Sequence, residues 1–489
     1  MLAHVAVGRT PIVASRAERA PSARLALTSL SLSMLLSSLG TSIANVALPT
    51  LSVAFSASFQ EVQWIVLVYL LAITTLIVSV GRLGDVVGRR RLMLIGLGLF
   101  TFASALCGAA STLWLLIAAR AVQGVAAAIM MALTLAFVAE AVPKEKAGSA
   151  MGLLGTMSAI GTALGPSIGG LLIAGFGWPS IFFISVPLGL LALLLAFQSL
   201  PPDPPASAST STRRAPFDVL GTLVLGSTLG SYALALTAGR GHYGWLNGAL
   251  LLAAAAGAGL FVRVEALSAS PLIAVARLRE PLINAGLAMS GLVSTVVMAS
   301  LVVGPFYLSG ALGLHAAGVG LVMSSGPLVA ALSGLPAGRM VDRFGARRVT
   351  LAGLIGMALG TSLLAMMPAR FGVPGYVMPL LLVTAGYAFF QAANNTSIMA
   401  NAIGDQRGVT SGMLNLSRNL GLITGASVMG AVFAVTSGAS GAGGAGAPRP
   451  DAVAIGMRST FALAAALVFT AIALARRDAS IAQRSPAVG

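Results

Sequence analysis

The sequence predicts an all-α integral membrane protein of about fourteen transmembrane helices, built as two six-helix bundles in parallel repeat with two helices inserted between them. Three observations carry this. Only 9% of the 489 residues are charged, 57% are hydrophobic, and the mean hydropathy is +0.93; a soluble chain carries ~25% charged residues. Apolar runs of the ~20 residues needed to cross a ~30 Å hydrocarbon core recur from end to end. A loop-like motif appears twice, at residues 81–91 and 338–348.

The elements follow in order. Residues 1–24 hold Arg9, Arg16, Arg19 and Arg24 and read as a basic cytoplasmic tail. No small-residue cleavage site closes a short apolar core after it, so a cleaved signal is not expected. The N-terminal bundle, 25–200, comprises spans at 25–50, 62–80, 91–110, 112–138, 147–174 and 178–199. Residues 201–282 form a linker. A Pro/Ser-rich loop from Pro201 to Pro216 leads into inserted spans at 217–239 and 244–264, whose Gly221, Gly226, Gly230 and Gly257 weaken the helix signal. The C-terminal bundle, 283–475, has spans at 283–308, 316–337, 349–368, 375–402, 408–436 and 457–475. A Gly/Ala-rich stretch at 437–456 reads as an external loop. Residues 476–489 form a second cytoplasmic tail.

Charge orients these spans. The net charge of +16 would suit nucleic acid, but the basic residues sit in short loops at alternate span ends, the positive-inside pattern. Of 29 Lys and Arg residues, 23 lie on the side of the termini and four (Arg240, Arg370, Arg449, Arg458) on the other. Two, Arg120 and Arg418, lie within spans. Both termini are therefore expected in the cytoplasm, with a lipid bilayer and not a nucleic acid as partner. Cys107 is alone and His4, His242 and His315 are scattered, so no disulfide, metal centre or cofactor is expected. The Ala/Gly/Arg bias and compact loops suggest a bacterial cytoplasmic (inner) membrane and a monomer.

The repeat is internal and parallel. Gly81-Arg82-Leu83-Gly84-Asp85-Val86-Val87-Gly88-Arg89-Arg90-Arg91 matches Gly338-Arg339-Met340-Val341-Asp342-Arg343-Phe344-Gly345-Ala346-Arg347-Arg348 at an offset of 257. Gly148, Gly152, Gly161, Gly165 and Gly170 match Gly408, Gly412, Gly421, Gly425 and Gly430 at an offset of 260. Repeated halves place a substrate site near the bilayer midplane between them. In the motif, glycine permits a tight turn, and Asp85 and Asp342 are placed to accept hydrogen bonds at a neighbouring helix N-terminus. Arg89, Arg90 and Arg347 would hold the segment at the cytoplasmic surface. A gating role is expected for the pair.

Inside the membrane a charge costs ~2.5–3.5 kcal/mol or more and points to function. Gln123 follows Arg120 at i+3. Tyr387, Gln391, Asn394 and Asn401 share one face of the twelfth span, and Thr41 and Asn45 one face of the first. Asn45, Arg120, Gln123, Tyr387, Gln391, Asn394 and Arg418 are thus candidate lining of a central polar substrate cavity, with interhelical hydrogen bonding as the competing use. None of the 13 acids lies mid-span; Glu61 and Glu140 come nearest. A neutral or anionic cargo is expected. Gly161, Gly165, Gly169 and Gly170 permit close helix approach and Pro166 bends the span, so this segment reads as a packing hinge between the halves. Trp64, Trp114, Trp178 and Trp245, near span ends, suit an interface belt. No nucleophile–base set or phosphate loop appears within the spans, so no catalytic residue is assigned and an enzyme is not expected.

These residues resemble the major facilitator superfamily. Residues 81–91 are similar to its loop 2–3 signature, Arg120-Ala121-Val122-Gln123-Gly124 to its fourth-helix motif, and residues 161–170 match its fifth-helix antiporter motif. Residues 178–187, Asp218 with Gly221, Gly244-Trp245 and residues 407–418 resemble segments of the fourteen-helix drug:proton antiporter branch. The resemblance implies the major facilitator fold and drug-efflux-type export of small amphipathic molecules by alternating access, with protons as coupling ions. One departure stands out: the acid this branch carries early in its first-helix motif is Gly40 here. That favours, as alternative, a metabolite-specific exporter or an uncoupled facilitator; a non-transporting scaffold ranks lower. Arginine does not readily release its proton, so coupling would fall to Glu61, Asp85 or the cargo.

Overall fold

The computed structural model describes residues 23–141, 144–203, 218–238, 244–267, 281–400, 407–438 and 449–484. Among the described residues fourteen helices are long and apolar enough to cross a membrane, and no strand occurs. The N-terminal half contains α1 (Ala23–Ala54), α2 (Phe59–Val87), α3 (Arg89–Gly108), α4 (Leu113–Ala141), α5 (Lys144–Phe176) and α6 (Ser180–Ser199). The inserted pair is α7 (Val219–Thr237) and α8 (Trp245–Leu267). The C-terminal half contains α9 (Pro281–Gly310), α10 (Ala316–Phe344), α11 (Ala346–Met366), α12 (Gly372–Ala400), α13 (407–436) and α14 (Pro450–Arg484). Each predicted span overlaps one of these. Exposed Leu194, Phe197, Leu223, Leu252 and Leu332 give the bundle an apolar outer face, as lipid-facing helices require.

The repeated motif is mostly helix rather than loop. α2 runs through Val87 and α10 through Phe344, so the connection to the next helix is a single glycine in each half. Gly88 has φ +102° and Gly345 φ +82°, a region that costs an L-residue ~1–2 kcal/mol. Asp342 is exposed, and no side chain caps α11; the predicted helix-capping role therefore does not hold for it. The Asp85 side chain lies outside the described residues. In the N-terminal half the cap comes from Asp203, beyond α6: its Oδ1 accepts from Arg90 N at 2.8 Å and its Oδ2 from Arg91 N at 3.1 Å. Arg90 Nη2 donates to Phe197 O at 2.7 Å, so α3 and α6 are tied together at this end. A Cβ at Gly88 would lie 2.5 Å from Asp203 Oδ2, whereas one at Gly345 meets nothing within 4 Å. Gly88→Ala is therefore expected to cost about 2–3 kcal/mol, backbone strain plus a lost cap, and Gly345→Ala about 1–2 kcal/mol. Unfolding in detergent would check the order.

The repeat extends to packing. On α5, Gly161 and Gly165 sit against Leu35, Ser38 and Ser42 of α1; on α13, Gly421 and Gly425 sit against Gly291, Ser294 and Thr295 of α9. Ser42 Oγ donates to Gly161 O at 3.2 Å and Thr295 Oγ1 to Gly421 O at 3.1 Å. A side chain at either glycine pair would occupy the partner's backbone, so small residues set the helix separation. α5 stays one helix through Pro166.

The halves meet at the end opposite the motif, here termed the far end. Gly170 of α5 lies against Ala316 O and Gly320 of α10. Gln63 Nε2 of α2 donates to Ala426 O of α13 at 2.6 Å, within a π-helical turn, Gly425–Met429. Such a turn departs from the α-helical bonding ladder, and Gln63 takes up one of its carbonyls. Phe59 packs its ring on Phe306 at 4.7 Å and on Phe433 at 5.3 Å. The inserted pair docks beside α2 through Ser79–Thr222 (2.6 Å) and Trp64 Nε1 to Thr237 Oγ1 (3.1 Å). Trp64 thus serves packing, while Trp114 and Trp245 are exposed at span ends.

Candidate functional site

The two intramembrane arginines have opposite environments. Arg120 of α4 is 0% exposed. Its Nε donates to Ile65 O at 3.0 Å and its Nη1 to Gln123 Oε1 at 2.6 Å. The guanidinium lies 4.1 Å from the centre of the Tyr69 ring. Gln123 Nε2 in turn donates to Ser104 Oγ of α3 at 2.7 Å. Arg120 and Gln123, expected along the cavity, are thus built into the interior of the N-terminal half, because α2 and α3 supply the acceptors. Asn45 is also buried; its Nδ2 donates to Thr41 O at 3.1 Å.

Arg418 is exposed and, among the described residues, makes no hydrogen bond or ion pair. It lies on α13 about 9 Å along the helix from the middle of its span, Gly412–Thr436, toward the motif end. It lines a recess of ≈ 40 Å³ with Ser290 and Ser294 of α9, Tyr387, Phe390, Gln391 and Asn395 of α12, and Leu414 and Asn415 of α13. Ser290, Ser294, Tyr387, Gln391 and Asn395 likewise make no side-chain hydrogen bond among the described residues. Water needs ~10–15 Å³ of such volume, so the recess has room for about three waters or one small polar group.

Three candidates from the twelfth and thirteenth spans, Tyr387, Gln391 and Arg418, share this recess. Asn394 does not join them: its Nδ2 donates to Gly286 O of α9 at 3.1 Å. Its neighbour Asn395, four residues from Gln391, faces the recess instead. Sequence spacing alone does not separate i+3 from i+4 on a helix whose neighbours are unknown. Ser290 and Ser294, spaced by four on one face of α9, are the signal of the recess that the sequence carries.

A second, larger cleft of ≈ 460 Å³ opens at the far end between the halves. Val46, Pro49, Thr50 and Val53 of α1 face Ser309 and Gly310 of α9, with Ala316 and Val319 of α10. Its size suits a drug-like molecule; the recess at Arg418 suits only a substituent of one. Among the described residues no cluster of three metal-ligating side chains occurs.

Known proteins agree with this architecture. The riboflavin transporter RibZ of Clostridioides difficile is 31% identical over 413 residues, 82% of this chain and 86% of RibZ. The multidrug resistance protein Stp of Mycobacterium tuberculosis is 32% identical over 397 residues, 80% of this chain and 72% of Stp. A bacterial homologue of the human lysosomal transporter Spinster, solved in an inward-facing and occupied conformation, superposes with a TM-score of 0.69 at 14% identity. It covers 94% of this chain, and 98% of the homologue is covered. The sequence model of the Major Facilitator Superfamily matches residues 30–307 and 285–487. With both repeated halves matched, fourteen spans and a multi-pass membrane architecture, the chain belongs to the major facilitator superfamily.

Proposed function

We propose that the protein exports small amphipathic molecules across the bacterial cytoplasmic membrane by alternating access, energised by the proton-motive force. The observation that carries this reading is the placement of a polar recess within a span, lined by Arg418, Gln391 and Ser294 among others, below a seam where the two halves touch at one end. The names of Stp and RibZ, a multidrug resistance protein and a riboflavin transporter, support small organic cargo. The basic residues at the motif end support a cytoplasmic position for that end and for both termini. In that orientation the seam at Gly170, Gly320 and Gln63 closes the path beneath the far-end cleft, and cargo reaches the recess from within. Rocking of the halves would part Gln63 from Ala426 and Gly170 from Gly320, opening the outer side. One chain holds the whole path, which supports action as a monomer.

The packing around Gly40 favours a second reading of the energetics, in which no proton is carried by α1. A Cβ at Gly40 would lie 3.0 Å from Tyr69 Oη and 3.5 Å from Phe100 Cζ. Tyr69 is held by its hydroxyl on Ser37 O at 2.8 Å and by its ring under Arg120. A carboxylate side chain has no space there unless that assembly moves. Glu61 is engaged in a capping box with Ser58 at the start of α2. The test is the purified protein in proteoliposomes holding a pH dye, given cationic, neutral and anionic amphiphiles under an imposed gradient. Cargo-triggered proton movement is the expected result for antiport. Cargo flux without it selects the uncoupled exporter. No protein-dependent flux of any class removes the transport reading.

A further inference from the structure

We propose that the recess around Arg418 is the anchoring site for an organic oxyanion, a carboxylate, enolate or phenolate carried on an otherwise apolar cargo. The proposal rests on the reading of the protein as an exporter and names its cargo class. Arg120 and Arg418, the two arginines that the sequence reading places within spans, are treated differently by the fold. Arg120 is wrapped by a backbone carbonyl, a carboxamide oxygen and an aromatic face. Arg418 has none of these among the described residues. A cation within a span and without a protein partner among the described residues is stabilised by what comes to it, water or an anion.

The rest of the recess is complementary to the same group. Ser290, Ser294, Tyr387, Gln391 and Asn395 each bring a donor that no described residue accepts. Among the described residues no carboxylate lines the recess. A guanidinium with neutral donors around it matches a planar oxyanion in charge and geometry. It repels a lipophilic cation. At ≈ 40 Å³ the recess holds the charged substituent only, and the apolar body of the cargo must extend beyond it.

The charge of such a cargo has an energetic consequence. Cytoplasm is electrically negative, so each exported negative charge is driven outward by about 50-fold in concentration ratio per 100 mV. An exporter of oxyanions therefore needs no acid in α1, which agrees with the closed packing at Gly40.

Three probes sharing one apolar body test this: dansylglycine (anionic), dansylglycinamide (neutral) and dansylcholine (cationic). The full-length protein is reconstituted, and binding and vesicle uptake are followed by fluorescence with potassium and valinomycin setting the potential. Saturable dansylglycine binding and uptake, accelerated by an inside-positive potential, is expected. Arg418→Gln is expected to weaken dansylglycine binding at least about tenfold, with Arg418→Lys in between and size-exclusion profiles unchanged. If dansylcholine or the amide is carried and Arg418→Gln affects neither binding nor flux of the acid, the site is overturned while export stands. If the acid does not bind the folded wild-type protein, the oxyanion site is overturned, and the pH-dye panel decides separately on export.

Discussion

Arg120→Ala is expected to destabilise the N-terminal half by about 3–5 kcal/mol and to deplete the folded protein recovered from membranes. The side chain is among the largest fully buried ones in the molecule. Its removal leaves a cavity between α2 and α4, worth ~2–5 kcal/mol for a residue of this size. It also takes from Gln123 Oε1 its guanidinium donor, leaving only the weak Cys107 thiol at 4.0 Å, a loss of up to ~1–3 kcal/mol for a buried acceptor so weakened, and removes the second donor on Ile65 O. Relief from burying a charge offsets part of this. Arg120→Lys is not expected to restore the wild-type level, because an ammonium neither reaches both acceptors in one plane nor stacks on Tyr69 as a guanidinium does. Thermal unfolding of both variants beside Arg418→Gln provides the check. Equal stability of Arg120→Ala and wild type would show that the buried network is dispensable. Loss of stability at 120 but not at 418 would separate the structural arginine from the exposed one.

That separation marks where the sequence stops being informative. Span number and the parallel repeat were legible because a bilayer imposes length and composition on every helix, and because the motif glycines recur at near-constant offsets. Gly88 and Gly345 announced a turn that only glycine makes cheaply. The side-chain neighbourhoods were not legible. Arg120 and Arg418 read alike as mid-span cations, since each partner of Arg120 beyond Gln123 comes from another helix: Ile65 and Tyr69 from α2, with Ser104 of α3 behind Gln123. Asp203 was invisible as a cap, for it lies 113 residues from the Arg90 amide it holds. Asn394 and Asn395 differ by one helical step, and the packing of α9 decides which one faces the recess. The π turn at Gly425–Met429 carried no compositional sign, because its carbonyl is satisfied by Gln63 from the other half.

Gly320→Leu is expected to abolish transport while leaving the protein folded, by disfavouring the arrangement in which the far end is closed. A Cβ at Gly320 meets Pro166 O, Gly170 Cα at 2.9 Å and Gly170 N at 3.2 Å. Those atoms are the backbone of a helix in the opposite half and cannot rotate away as a side chain would. The clash is relieved without loss of helix by parting the halves at that end, and leucine favours the helix over glycine by up to ~1 kcal/mol. Overpacking of ~1–3 kcal/mol, present in one arrangement and absent in the other, shifts their ratio by about 5- to 150-fold. Gly165→Leu makes the opposite control: its clash is with Ser42 and Ile43 of the same half, so it is expected to destabilise the bundle in every state. The readout is thiol access at the far-end cleft. With Cys107→Ala as background and Val46→Cys as reporter, a residue only 3% exposed here, maleimide labelling of purified protein should rise sharply when Gly320→Leu is added. Unchanged labelling together with normal transport would mean that the seam at Gly170 and Gly320 does not govern opening. Increased labelling with intact folding would identify the α5–α10 contact as the element whose closure the transport cycle requires, and would place the control of access in backbone proximity between the halves and not in the charged motif at the other end.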